Sequence, residues 1–173
     1  DRYRYESPRG AWGDANSPVR LDHNFELAPP LNRSAEVVER KGCDLDPIDP
    51  TSPEGSLTLR SFVWADQLSR LSLLDGALKV AEEVPVEVER IDAASFLERE
   101  LAAPRGALAT IVYHSVFMQY VSSDQRTRIS RAIDDSSVYY LTMEPVEERF
   151  EVRLGVDLLA TSSALGTHVR WLR

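Results

Sequence analysis

A chain of 173 residues that is 43% hydrophobic has room for one domain with a sizeable core. Its formal net charge of −8 argues against a nucleic-acid backbone or an anionic membrane surface as the main partner. The one cysteine, Cys43, allows no internal disulfide and fits a reducing cytoplasm, and no run approaches eighteen consecutive apolar residues, so no transmembrane helix is expected.

Residues 1–18, with Pro8, Gly10, Gly13 and Pro18, read as a loop. Val19 to Leu27 alternates (Val19, Leu21, His23, Phe25, Leu27) as a half-exposed strand does, and Pro29-Pro30 ends it. Ser34 is a suitable N-cap for a short helix through Arg40. Lys41 to Pro47 reads as a short strand with Asp44 and Asp46 at its end. From Ser56 to Val84 apolar residues recur at intervals of three and four (Leu59, Phe62, Val63, Leu68, Leu71, Leu74, Leu78), which predicts an amphipathic helix broken at Asp75-Gly76, with Trp64 in the core.

Val86 to Ile91 alternates as a strand, and Asp92 can cap a helix over 93–103 with Phe96, Leu97 and Leu101 inward. A turn at 104–106 leads to Leu108–Val121, the longest nearly uninterrupted apolar run. Its composition suits a strand buried on both faces of a parallel sheet. The run passes through His114 and Ser115 to Ser122-Ser-Asp-Gln125, a capping-box pattern that starts a helix to about Ile133. Val138 to Met143 is a further strand ending at Glu144-Pro145. Arg149 to Leu154 alternates charge with Phe150, Val152 and Leu154, as an antiparallel or edge strand does, and 156–160 and 167–172 offer final strands. Strand and helix alternate three times before a run of strands. That order predicts an α/β fold, mostly parallel with antiparallel C-terminal strands, built as a single domain over 1–173.

Polar groups recur at the carboxyl ends of these strands: Asp44 with Asp46, Asp92, His114 with Ser115, and Glu144. In open α/β sheets ligands bind outside those ends, and an acid after the second strand is where nucleotide-binding folds accept ribose hydroxyls. The alternatives are structural. The three aspartates can cap helices or turns, and His114 can be a hydrogen-bonded packing residue. Ser115 lacks a Gly-x-Ser-x-Gly frame, no Cys/His spacing suggests zinc, and no glycine-rich phosphate loop is present.

Six motifs occur in order: Asp-Arg-Tyr-Arg-Tyr (1–5), Ser-Pro-Val-Arg-Leu (17–21), Gly-Cys-Asp-Leu-Asp-Pro-Ile-Asp (42–49), Val-Trp-Ala-Asp-Gln (63–67), Tyr-His-Ser-Val-Phe-Met-Gln-Tyr (113–120) and Trp-Leu (171–172). Together they resemble the DUF2332 family of bacterial proteins of unknown function, over nearly the whole chain. Members resemble class I S-adenosylmethionine (SAM) methyltransferases, and carry a first strand and small-residue turn upstream of the segment matching this chain. The resemblance implies a Rossmann-like three-layer sandwich whose first strand is missing here. It implies that Asp44 meets the ribose, with Asp46 also cofactor-binding, and that Asp92 meets the adenine amine. His114 and Ser115 fall after the fourth strand, where acceptors are oriented, and Glu144 faces the acceptor with His114. The connection from Asp44 to Asp92 is long, with an extra helix.

Three readings follow. The first is a SAM-dependent methyltransferase-like protein, its cofactor held by Asp44, Asp46, Asp92 and Ser115, with His114 and Glu144 catalytic. The second is a non-catalytic nucleotide-binding-like or protein-interaction module of the same fold. The third, weaker, is a hydrolase using His114, Ser115 and Glu144. It requires a Ser–His hydrogen bond that adjacent strand residues, pointing to opposite faces, can hardly make. The fold also implies a partner. Its first strand lies beside the second and fourth, and open strand edges are a liability, so an N-terminal segment of the same protein, or another copy, is expected to supply that strand. No metal, nucleic acid or membrane partner is expected.

Overall fold

The computed structural model describes residues 2–22, 24–31, 35–84, 86–103, 106 and 108–172. The chain falls into two compact units, 1–23 with 30–90, and 24–29 with 91–173. The fold is mixed α/β, with three sheets and four α-helices among the described residues.

The first unit opens on a hairpin, β1 (Arg4–Ser7) and β2 (Gly10–Gly13), where the sequence predicts a loop. The cross-strand partners Tyr5 and Trp12 stack at 5.1 Å and 8° between planes. The Arg9 amide donates to Ser7 Oγ, which tightens the turn. Such a pairing joins residues that a local pattern dominated by glycine and proline leaves apart. β3 (Arg20–Leu21) adds in parallel to β1.

Residues 35–41 form no helix, and Ser34 lies outside the described residues. Val37 and Val38, which that helix would bury, are exposed, and so short a helix is not stable without a face to pack on.

β5 (Gly42–Asp44) pairs in parallel with β6 (Val88–Arg90), aligning Asp44 with Arg90. Between them lie α1 (Pro53–Ser61), capped by Ser52 Oγ on the Gly55 amide, and α2 (Leu68–Glu83). The helical run therefore breaks at 62–67 and continues through Asp75-Gly76. Gly76 is buried because α2 meets the Pro18 carbonyl: a Cβ there would lie 2.6 Å from that oxygen. Phe62, Trp64 and Leu68 are exposed, so Trp64 is not core.

In the second unit the strand order is β4 (Phe25–Leu27), β11 (Val169–Trp171), β10 (Asp157–Ser162), β9 (Arg149–Leu154), β8 (Tyr139–Val146), β7 (Ile111–Ser115). The run from Val19 to Leu27 thus splits between two sheets, and His23 lies outside the described residues. The sheet is mixed rather than mostly parallel. β7 runs parallel to β8 and β4 to β11, whereas β8, β9, β10 and β11 are antiparallel in succession. Tight loops make the meander possible: Glu147 at φ 55° and Gly155 at φ 57° take the positive φ such hairpins demand.

β8 continues through Pro145 to Val146. Its last rung with β7 is Ser115↔Met143, so beyond it a residue without an N–H has only β9 to satisfy.

β7 is shorter than the apolar run predicts and terminal in its sheet. Ile111 is 60% exposed and Tyr113 77%, where the sequence predicts burial on both faces. Of the predicted turn at 104–106, only Gly106 lies within the described residues. α3 (Ala93–Leu101) is capped by Asp92 Oδ1 on the Ser95 amide, and α4 (Ser123–Asp134) by Ser122 Oγ on the Gln125 amide. They pack around Ala94, Val121 and Ile129, with Leu97, Phe117, Met118 and Ile133 against them.

Candidate functional site

Parallel pairing of β7 with β8 places Val112 beside Tyr140 and His114 beside Thr142. Side chains alternate between faces with a period of two, so Tyr140 and Glu144 lie on the face of His114, and Ser115 lies on the other. The three side chains meet. His114 Nε2 is 2.6 Å from Tyr140 Oη, and His114 Nδ1 is 2.8 Å from Glu144 Oε1. The second contact is close but bent, since the buried Nδ1 does not point squarely at the oxygen.

The same carboxylate oxygen is held from behind. The Phe117 and Met118 amides donate to Glu144 Oε1 at 2.9 and 3.2 Å. Those amides point inward because the chain turns sharply after β7 and enters a 3₁₀ turn at Met118–Tyr120. Val116 sits at the corner with φ 50°, and its amide donates to the Met143 carbonyl at 2.8 Å. A β-branched residue in the left-handed region is strained, at a cost on the order of 1–3 kcal/mol. The turn persists because Glu144 and Met143 hold it from β8.

The imidazole packs against the rings of Phe117 and Tyr140, tilted to each, with centroids at 5.5 and 5.4 Å. Burial pushes its pKa below the ordinary histidine value, against the opposing pull of Glu144. Burial, aided by Glu144, pushes the Tyr140 phenol up. At neutral pH the site therefore holds a neutral imidazole and a neutral phenol. Such a set can accept a proton, pass it along and stabilise the imidazolium that results.

Of the residues the sequence marks as candidates, His114 and Glu144 come together. Ser115 lies exposed on the other face, so the Ser–His pair a hydrolase needs does not form. Tyr140 escaped sequence reasoning. Its signal is the parallel register, which puts it four residues before Glu144 on the same face.

The three aspartates have structural partners. Asp44 Oδ1 accepts from the Asp46 amide, closing the turn after β5. Asp46 pairs with Arg90 at 2.7 Å, at the surface. Asp92 caps α3, with Arg128 Nη1 at 3.9 Å, and the Ser95 bonds hold its carboxyl below the usual range. Asp44 and Asp46 belong to the first unit, and Asp92, His114, Ser115 and Glu144 to the second. Among the described residues no group of three His, Cys, Asp or Glu side chains is placed to hold a metal ion, and no helix is long and apolar enough to cross a membrane.

The family model DUF2332, described as an uncharacterized protein conserved in bacteria, matches residues 1–171. No curated protein and no solved structure matches the chain.

Proposed function

The chain belongs to the DUF2332 family, and from that premise we propose a SAM-dependent methyltransferase-like protein of Rossmann-like fold, acting in the bacterial cytoplasm. The supporting observation is how the parallel strands divide. In the class I fold the first strand lies between the second and the fourth. Here β5 and β6, taken in this proposal as the second and third, pair in parallel with each other. β7, taken as the fourth, pairs in parallel with the next strand, β8. The two pairs belong to separate sheets. The class I order sets a further parallel strand beside each pair, supplied in this proposal by an N-terminal segment of the same protein or by another copy. β7 ends its sheet, which leaves one backbone edge where such a strand could pair.

One carboxylate suits the ribose of the cofactor. Asp44 is an exposed carboxylate at the end of β5, able to accept ribose hydroxyls, and the Asp46–Arg90 pair steadies the turn that carries it. Asp92 and Ser115 are the other polar groups assigned to the cofactor. SAM supplies a methyl group activated on a sulfonium. What this chain adds is alignment of the acceptor and a neutral imidazole to receive a proton, with Glu144 orienting it.

A second reading, a non-catalytic module of the same fold, is favoured by the structural duties of Asp44, Asp46 and Asp92 described above. Calorimetric titration of SAM into the full-length protein separates the two. Saturable binding that Asp44→Ala abolishes supports the cofactor site. No binding to a folded full-length protein refutes it and leaves the module.

A further inference from the structure

We infer that Tyr140 is a proton-transfer residue, the ligand-side member of a Tyr140–His114–Glu144 relay that takes a proton from a hydroxyl group of a bound molecule. The direction of the relay follows from its fixed end. Glu144 Oε1 already accepts from the Phe117 and Met118 amides, so the carboxylate is an acceptor towards His114 as well. His114 Nδ1, 2.8 Å away in a bent contact, is therefore assigned the ring proton, which leaves Nε2 the lone pair. Tyr140 Oη, 2.6 Å from Nε2, has to be the donor in that contact. Its own lone pairs then remain to accept from a donor that a bound molecule brings to it. With the bent Nδ1–Glu144 contact taken in the same sense, the polarity runs throughout towards Glu144, so the arrangement accepts protons at Tyr140 and stores charge at His114.

The proton balance is simple. The ligand O–H bond breaks and its proton joins Tyr140 Oη. The phenol's former proton moves to His114 Nε2. The imidazolium that forms is paired with Glu144, and the ligand is left as an oxyanion. The chemistry favours a hydroxyl over the other common nucleophiles. An amine attacks as its free base and sheds its proton afterwards, and a thiol, with an ordinary pKa near 8.5, ionises readily near neutrality. A hydroxyl holds its proton too firmly and needs a base as its oxygen becomes a nucleophile. Burial that keeps the imidazole unprotonated near neutral pH suits that task. That this hydroxyl is the methyl acceptor rests on the proposed function. The relay itself rests on the geometry.

The test uses full-length protein with ¹⁵N-labelled histidine, without SAM, and phenol as the hydroxyl probe. The expected result is the Nδ1–H tautomer of His114 and a saturable phenol-dependent shift of its Nε2 resonance. Tyr140→Phe weakens that response at least tenfold. Glu144→Gln, which removes the partner of the imidazolium, weakens it as well and serves if the phenylalanine variant fails to fold. The Nε2–H tautomer in the wild type, no response to phenol, or equal responses in wild type and folded Tyr140→Phe overturns the relay. Because SAM is absent, a protein that shows the response but never binds SAM loses the methyl-transfer reading and keeps the relay. One that binds SAM and lacks the response loses only the relay.

Discussion

Replacing Glu144 by alanine tests whether one carboxylate holds the strained turn after β7. The side chain accepts the Phe117 and Met118 amides and faces His114 Nδ1. A hydrogen bond to a charged acceptor contributes roughly 1.5–3 kcal/mol. The carboxylate is 22% exposed, so water replaces part of each bond once it is gone. The Val116 corner, at φ 50°, then keeps its bond to the Met143 carbonyl but loses the two side-chain anchors beyond it and relaxes, returning part of the roughly 1–3 kcal/mol of strain. The net loss is about 3 kcal/mol for Glu144→Ala. For Glu144→Gln, which keeps one acceptor oxygen without the charge, it is about 1 kcal/mol. Hydrogen exchange followed by NMR reads the two amides directly. About 3 kcal/mol corresponds to roughly 100-fold faster exchange of Phe117 and Met118. If alanine changes both amides by less than about threefold and leaves the unfolding free energy within about 0.5 kcal/mol, Glu144 does not hold the turn.

The Asp92 cap predicts that Asp92→Ala costs about 1 kcal/mol in denaturant unfolding while Asp92→Asn costs only a few tenths. The folded carboxyl of Asp92 titrates below its unfolded value, so this stabilisation is present above about pH 4 and is lost as pH falls through the folded pKa; Asn removes that acid-side dependence. His114 has the opposite charge type and also a lowered folded pKa, so the unfolded chain binds its proton first. Its contribution is full above about pH 6.5 and declines as pH falls towards the folded value, which unfolding measured against pH in wild type and His114→Gln reveals as a difference confined to that window. Gly76→Ala gains about 1 kcal/mol of helix propensity, but its methyl would lie 2.6 Å from the Pro18 carbonyl oxygen and 3.2 Å from Val19 Cγ2. The expected net effect is a destabilisation of about 1–3 kcal/mol by urea unfolding, and a more stable variant refutes that close approach.

Features written in short-range chemistry were legible before the structure. Asp92 and Ser122 cap helices because a side-chain oxygen three residues before an amide needs nothing beyond its own turn. The alternation of Arg149–Leu154 marked an antiparallel or edge strand, since period two is a property of the strand itself, and the structure makes it antiparallel to neighbours on both sides. The break in the long helical run was misplaced. Asp75-Gly76 looks like a stop signal, yet Gly76 is there so that a helix can touch the Pro18 carbonyl, a contact 58 residues away in sequence that no local pattern records.

By itself the sequence determined the family and the capped helix starts and marked the chemistry-bearing residues, which depend on motifs or on hydrogen bonds closed within a few residues, but it ended a strand at Glu144 where β8 runs on to Val146. Tertiary structure alone decided which of those residues act together. The β7–β8 register brings Tyr140 and Glu144 to His114 and sends Ser115 to the other face, and a slip of one residue reverses every such assignment. It also decided that β7 ends its sheet and that residues 4–13 form a hairpin. Strand neighbours are chosen by contacts between distant segments, and a strand's own residues read the same whether its neighbour is another strand or solvent.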